Sequence, residues 1–258
     1  MKGLDIFLHS LKQVLGNLPG ALKVSALPYA VQFLAAILLI GPAMMSGSMD
    51  PSAMMSGEGA PNFALVLLNL LITLVTSIWI AVAWHRYILK NEAPAGFVPA
   101  FRGDRILAYF LRAFGIGLLC VLLAIPLGIV AGLIAFPFMS VNGPGIIGLL
   151  LIMLITYFPL AVISYRLATA LPAAALDESG PFLAGWEATR GQNGTIAVLA
   201  LITVLVMFGS SVVGLYILGG VMPLFIAWTL AFNWIATMVG LSILTTLYGH
   251  YIEKRELV

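Results

Sequence analysis

The residues of this sequence best able to do chemistry are three histidines, one cysteine and one adjacent acidic pair. His9, His85 and His250 stand far apart in the chain, and Cys120 lies inside an apolar run where it has no second cysteine to pair with. Asp177-Glu178 reads as a pair that caps or solvates a helix end. A hydrolase or transferase needs a nucleophile with a base, or an acid with a base, within hydrogen-bond reach. The sequence has no Cys/His metal-ligand spacing, no glycine-rich phosphate loop and no Gly-x-Ser-x-Gly. The expectation is a protein with no catalytic residues and no cofactor.

One cluster suggests metal chemistry. Ala43-Met44-Met45-Ser46-Gly47 recurs ten residues later as Ala53-Met54-Met55-Ser56-Gly57, with Met49 between the copies. Thioether sulfurs are soft ligands that select Cu(I). No histidine or cysteine joins Met44, Met45, Met49, Met54 and Met55, and no ladder of methionine or cysteine follows through the apolar runs. The sequence therefore favours a short tandem duplication in a loop, with methionine as a flexible apolar residue, over a copper site.

Binding residues are easier to nominate. Arg86, Arg166 and His250 fall at corresponding ends of long apolar runs, and His85 adjoins the first of them. At such positions cations meet lipid phosphates or the last carbonyls of a helix, so these four are candidate lipid or substrate contacts. Asn69 and Thr73 line up with Thr76 at helical spacing, and Asn233 with Thr237 and Gly240. Inside hydrocarbon an amide seeks an interhelical partner, so helix packing is the first reading of both stripes and a polar path the second. Gly128-x-x-x-Gly132, just after Pro126, reads as a close helix contact at a kink.

The elements that must carry these residues follow from composition. Hydrophobic residues make up 62% of the chain and charged residues only 9%, with a mean hydropathy of +1.10. About a quarter of a soluble chain is charged, so this one lacks the polar shell water requires and takes the bilayer as its solvent. The net charge of +2 offers nothing to nucleic acid. A span needs ~20 apolar residues. Residues 24–49 and 59–85 are charge-free for about one span each, and 113–165 and 191–252 for about two. Val141-Asn142-Gly143-Pro144-Gly145 divides the third run and Gly219-Gly220 before Pro223 the fourth. The spans are expected at 22–44, 63–86, 107–137, 145–169, 195–218 and 222–250, all within a single integral membrane domain over 1–258. All twelve Lys and Arg fall on one side of this arrangement. The positive-inside rule makes that side, and both termini, cytoplasmic.

The fold class expected is an all-α membrane protein of six transmembrane helices. They read as three pseudo-repeated helical hairpins, each preceded by a cytoplasmic, interfacial amphipathic segment. Phe7-Leu8-x-x-Leu11 matches Phe182-Leu183-x-x-Trp186, Phe97 and Phe101 hold the same spacing between them, and Ala81-Val82-x-x-x-Arg86 matches Ala161-Val162-x-x-x-Arg166. Segments 3–18 and 181–192 are helix candidates. In the first, Leu4, Phe7, Leu8, Leu11 and Leu15 form the apolar face; in the second, Ser179 would be the N-cap and Phe182, Trp186 and Thr189 share a face.

Trp84-His85-Arg86-Tyr87-Ile88-Leu89-Lys90-Asn91-Glu92, together with Arg166-Leu167-Ala168-x-Ala170-Leu171-Pro172 and Gly185-Trp186-Glu187-Ala188-Thr189-Arg190-Gly191, resembles motifs of uncharacterised bacterial six-span inner-membrane proteins. The membrane domain accompanying some glycerophosphodiester phosphodiesterases is similar. The resemblance implies the bacterial inner membrane and brings no catalytic residues, because the phosphodiester chemistry of those fusions sits in a separate soluble domain. Two functions are open: a non-enzymatic accessory or organising component of a membrane complex, or a transporter or lipid-handling protein with a site between the pseudo-repeats. Membrane lipids, and for the first reading another membrane protein, are the partners implied.

Overall fold

In a computed structural model, residues 3–41, 62–140, 143–178 and 180–256 are described. The methionine cluster and Ser179 lie outside them. The described residues are mostly helical, and six of the helices are long and apolar enough to cross a membrane. In chain order the elements are α1 (Gly3–Gly16), α2 (Leu18–Leu39), α3 (Phe63–Lys90), α4 (Gly103–Ala135), α5 (Ile146–Ala168), α6 (Leu171–Ala175), α7 (Ala184–Ala188), α8 (Asn193–Leu218) and α9 (Met222–Tyr251). All six of these helices overlap the expected spans. The break between α4 and α5 is a short antiparallel turn pairing Met139 with Pro144. That between α8 and α9 is Gly219-Gly220, after which Pro223 opens α9. The backbone groups into two compact units, Leu18–Leu107 and Met1–Asn17 with Ala108–Val258.

In the Leu18–Leu107 unit, α2 lies along α3. Gly20 permits the approach, since any Cβ there would run into the Tyr87 ring. Midway, the Gln32 amide donates to the Thr76 hydroxyl (2.9 Å), the Ser77 hydroxyl (3.0 Å) and the Thr73 carbonyl (3.4 Å). A polar stripe was expected on α3, and this is the partner that occupies part of it. Replacing Gln32 by leucine is expected to lower the stability of the hairpin by about 1–2 kcal/mol, the scale of interhelical hydrogen bonds between apolar helices. Thermal unfolding in detergent reads this directly; an unchanged midpoint would mean the amide contributes nothing to packing. α3 stops at Asn91, whose left-handed backbone (φ 54°) lets its N–H return to the Arg86 carbonyl. The following segment carries Pro94, Gly96 and Pro99 and forms no helix. The Trp79 indole donates to the Ala100 carbonyl (3.2 Å) and meets Phe101 edge to face, which fixes the segment on α3.

In the second unit, α1 packs on α8 and α9. Its buried residues are Gly3, Ile6, Ser10 and Val14. The leucine stripe is not the packing stripe: Leu4, Leu8 and Leu15 are exposed. On the inner face, Gly3 and Ser10 bring backbones close while Ile6 and Val14 fill the space beside them. A Cβ on Gly3 would collide with the backbone of α8, and the Ser10 hydroxyl reaches Thr246 of α9 (3.2 Å). In the same way α7 seats on the end of α5 through Gly185.

One expectation is corrected. Gly128 and Gly132 make no close helix contact; a Cβ at either would meet nothing within 4 Å. A Gly-x-x-x-Gly pattern needs a facing helix, and among the described residues none lies there. Asp177 and Glu178 do close the end of α6, as expected: Asp177 takes the left-handed backbone (φ 69°) and the Glu178 N–H returns to the Ala173 carbonyl (3.0 Å). The Glu178 carboxylate in addition accepts the Tyr248 hydroxyl of α9. The long sequence separation of that pair hides it from any local reading.

Candidate functional site: an intramembrane cavity and a charged clamp

α5, α8 and α9 run side by side in the second unit but do not close on one another. They leave a cavity of about 660 Å³, within the range of small-molecule sites. Two local departures from α geometry border it. Met153–Tyr157 in α5 and Val213–Leu218 in α8 are π-helical. Each such turn carries an extra residue and re-aims the side chains around it, which is why π turns concentrate at functional positions. Met153 and Tyr157 from the first, and Gly214 and Leu215 from the second, line the cavity. At Gly214 the atoms nearest to where a Cβ would be belong to the Phe225 and Trp228 rings, at 3.5 Å and beyond.

The walls are apolar and aromatic with a few neutral polar groups, and among the described residues no charged side chain lines them. The polar groups are mostly spoken for. Thr203 accepts the Tyr165 hydroxyl (2.9 Å) and donates to the Leu199 carbonyl (3.0 Å). Ser211 donates to the Met207 carbonyl (3.0 Å). Ser164 sits against the Cys120 sulfur (3.2 Å). The Trp228 indole donates to the Ser210 carbonyl (3.3 Å), tying α9 to α8 across the cavity. Asn233 differs. It is one of the lining residues, is exposed, and makes no hydrogen bond among the described residues. At 1.5 Å per residue from Met222 it stands ~16 Å along α9, near the middle of a ~30 Å hydrocarbon layer. An amide without a partner at that depth costs about 1–3 kcal/mol unless water or a ligand satisfies it. Thr237 is half-buried one turn further on.

The cationic candidates are held by their own neighbours. In the first unit Arg86 is buried, and its guanidinium forks onto Glu92, Nε to Oε2 at 2.8 Å and Nη2 to Oε1 at 2.6 Å. Arg102 adds a third bond to Glu92 Oε2 (3.1 Å). The Arg86 hydrogen bonds hold the Glu92 carboxyl below the usual carboxylate range, with the charges of Arg86, Arg102 and Lys90 acting the same way against partial burial. His85 is fully buried beside this clamp. Asn69 in the same unit keeps a buried carbonyl oxygen with no partner among the described residues. In the second unit Arg166 donates to Thr189 Oγ1 (3.2 Å), Asn193 Oδ1 (3.1 Å) and the Trp186 carbonyl (3.2 Å), and its guanidinium lies 3.7 Å over the Trp186 ring. His250 rests edge-on to Tyr251, with Nδ1 3.4 Å from the Arg255 carbonyl. Neither Arg166 nor His250 lines the cavity of that unit.

Of the residues nominated from sequence, Asn233 alone lines the cavity. Gln32, Glu92 and the hydroxyls of Ser164 and Thr203 were not nominated. The signal for Gln32 was present, as an amide inside the first apolar run. For Ser164 and Thr203 nothing in the sequence separates a cavity hydroxyl from one turned to its own helix. Comparison with family models, with curated proteins and with solved structures finds no match for this chain.

Proposed function

We propose that this chain is a non-enzymatic, multi-pass protein of the bacterial inner membrane that handles an uncharged lipid in the cavity between α5, α8 and α9. The observation that carries this reading is Asn233. A neutral amide that both donates and accepts, unpartnered at mid-membrane depth in an apolar cavity, suits the hydroxyl, ester or amide group of a ligand whose remainder is hydrocarbon. Charged walls would favour a transported ion or a headgroup, and the lining offers none.

The surroundings of the cavity fit the same reading. All twelve basic residues lie on the side of the termini, which argues for cytoplasmic termini. The leucines of α1 turn away from the protein, as an interfacial helix would present them to a bilayer surface. Ser10, Ala100 and Gly185 hold one register position of the pseudo-repeat, and each touches a span: Thr246 of α9 for Ser10, Trp79 of α3 for Ala100, and the α5 backbone for Gly185. That recurrence favours three copies of one unit. A second reading, the accessory component of a complex, draws on α4, whose Gly128 and Gly132 face open space.

Native mass spectrometry from nanodiscs tests the proposal. The wild-type protein is expected to retain one uncharged lipid, and Asn233→Leu to lose retention roughly tenfold, the worth of one good hydrogen bond in an apolar site. Retention unaffected by the substitution would refute the lipid site. A stoichiometric protein partner in place of lipid would transfer the case to the accessory reading.

A further inference from the structure

A second cavity, of about 290 Å³, lies in the Leu18–Leu107 unit beneath the segment that follows α3. Its walls are small apolar residues, among them Val24, Val82 and Pro99, and its only charged lining residues are Arg86, Glu92 and Arg102. Two guanidiniums against one carboxylate leave the cavity with a net positive charge. The arrangement of bonds decides where that charge is available. Both oxygens of Glu92 are committed, Oε1 to Arg86 and Oε2 to Arg86 and Arg102 together. Arg102 commits one nitrogen, Nη2, and its Nε and Nη1 make no hydrogen bond among the described residues. Its side chain is 42% exposed, whereas that of Arg86 is 6% exposed. The clamp thus neutralises its buried member and leaves the outer one with donors to spare.

Arg102 is also held in place. Phe101 beside it packs on Trp79, the Ala100 carbonyl takes the Trp79 indole, and Pro94 and Pro99 limit the backbone between. A fixed guanidinium with open donors is a feature that recognises a planar or tetrahedral oxyanion. We propose that this cavity is a site for a phosphate group, with Arg102 as the ligating residue and the Arg86–Glu92 pair as the group that positions it. The phosphate could belong to a lipid headgroup or be free in solution, and the two sources share this chemistry.

The full-length protein in nanodiscs tests the site, with phosphatidylglycerol in phosphatidylcholine as one probe and millimolar inorganic phosphate as the other. Arg102 is surface-accessible and Glu92 keeps Arg86 in Arg102→Gln, so the fold should survive; Arg102→Lys retains the charge without the fork. Phosphatidylglycerol retained by the wild type, retained in part by Arg102→Lys and reduced roughly tenfold in Arg102→Gln would assign the site to a headgroup. A rise in thermal stability with inorganic phosphate in the wild type but not in Arg102→Gln, without lipid retention, would assign it to the free anion. Equal behaviour of wild type and Arg102→Gln towards both probes would overturn the proposal.

Discussion

Valine in place of Gly185 is expected to destabilise the protein by about 3 kcal/mol or more. A Cβ on Gly185 would stand 2.6 Å from the Arg166 carbonyl oxygen, 2.8 Å from that of Leu167 and 2.9 Å from the Ala170 nitrogen. All three are backbone atoms at the end of α5, so no rotamer change relieves the clash. α7 must lift instead. Lifting it takes Trp186 off the Arg166 guanidinium and strains the bonds from Arg166 to the Trp186 carbonyl and Thr189. Overpacking alone costs roughly 1–3 kcal/mol, and a lost hydrogen bond to a charged group a further ~1.5–3. Gly194→Ala is the control: nothing lies within 4 Å of its Cβ position, and it stands in the first turn of α8. Thermal unfolding in one detergent should show a large drop for Gly185→Val and little change for Gly194→Ala. Equal midpoints would mean that α7 is not anchored on α5.

Gly185 also shows why part of this fold was legible in the sequence and part was not. Span number and hairpin breaks follow from where charge is absent and where glycine and proline cluster, and these are local properties. The start of α2 differs from the expected 22 because α1 and α2 abut with only Asn17 between them, and a break of one residue leaves little trace in hydropathy. Which face of a helix meets protein is a different matter. In a soluble helix the apolar face is the inner one, but a helix bathed in lipid gains nothing by hiding leucine. α1 makes the point: hydrophobic periodicity marks Leu4, Leu8 and Leu15 as the face for the membrane surface, and says nothing of the face that Gly3, Ile6, Ser10 and Val14 bury against α8 and α9.

The same logic governs the candidate sites. Asn233 could be nominated as a polar residue inside a span, but whether it faces another helix or a cavity depends on the π turns of α5 and α8. No residue type announces those turns. Arg86 was legible as a cation at a helix end, and Glu92 lies only six residues on. The pairing became visible once the left-handed backbone at Asn91 turned the chain back on α3. The partners of Gln32 and Glu178 are far away in sequence, and no pattern within one helix reports them.

Gly214→Leu is expected to weaken lipid retention roughly thirtyfold by filling the cavity, while leaving the fold intact. Gly214 lies in the π turn of α8 and lines the cavity. Its first added carbon would sit 3.5 Å from the Phe225 ring and 3.6 Å from Trp228, ordinary contact distances. The branch of the leucine must then extend into the open volume, where hydrocarbon of a bound lipid would otherwise lie. Two or three displaced methylene contacts, at ~0.8 kcal/mol each, correspond to a loss of roughly thirtyfold in affinity. Removing a glycine from a helical segment should meanwhile stabilise the protein by about 0.5–1 kcal/mol. Loss of binding together with an unchanged or raised melting point separates a filled site from a damaged fold. Asn233→Leu acts on the polar group of the same ligand, so the two substitutions fail differently. If Gly214→Leu retains lipid and Asn233→Leu does not, the hydrocarbon does not occupy the space beside α8. If both retain it fully, the lipid binds elsewhere on the surface of the protein, and the cavity between α5, α8 and α9 is a packing defect.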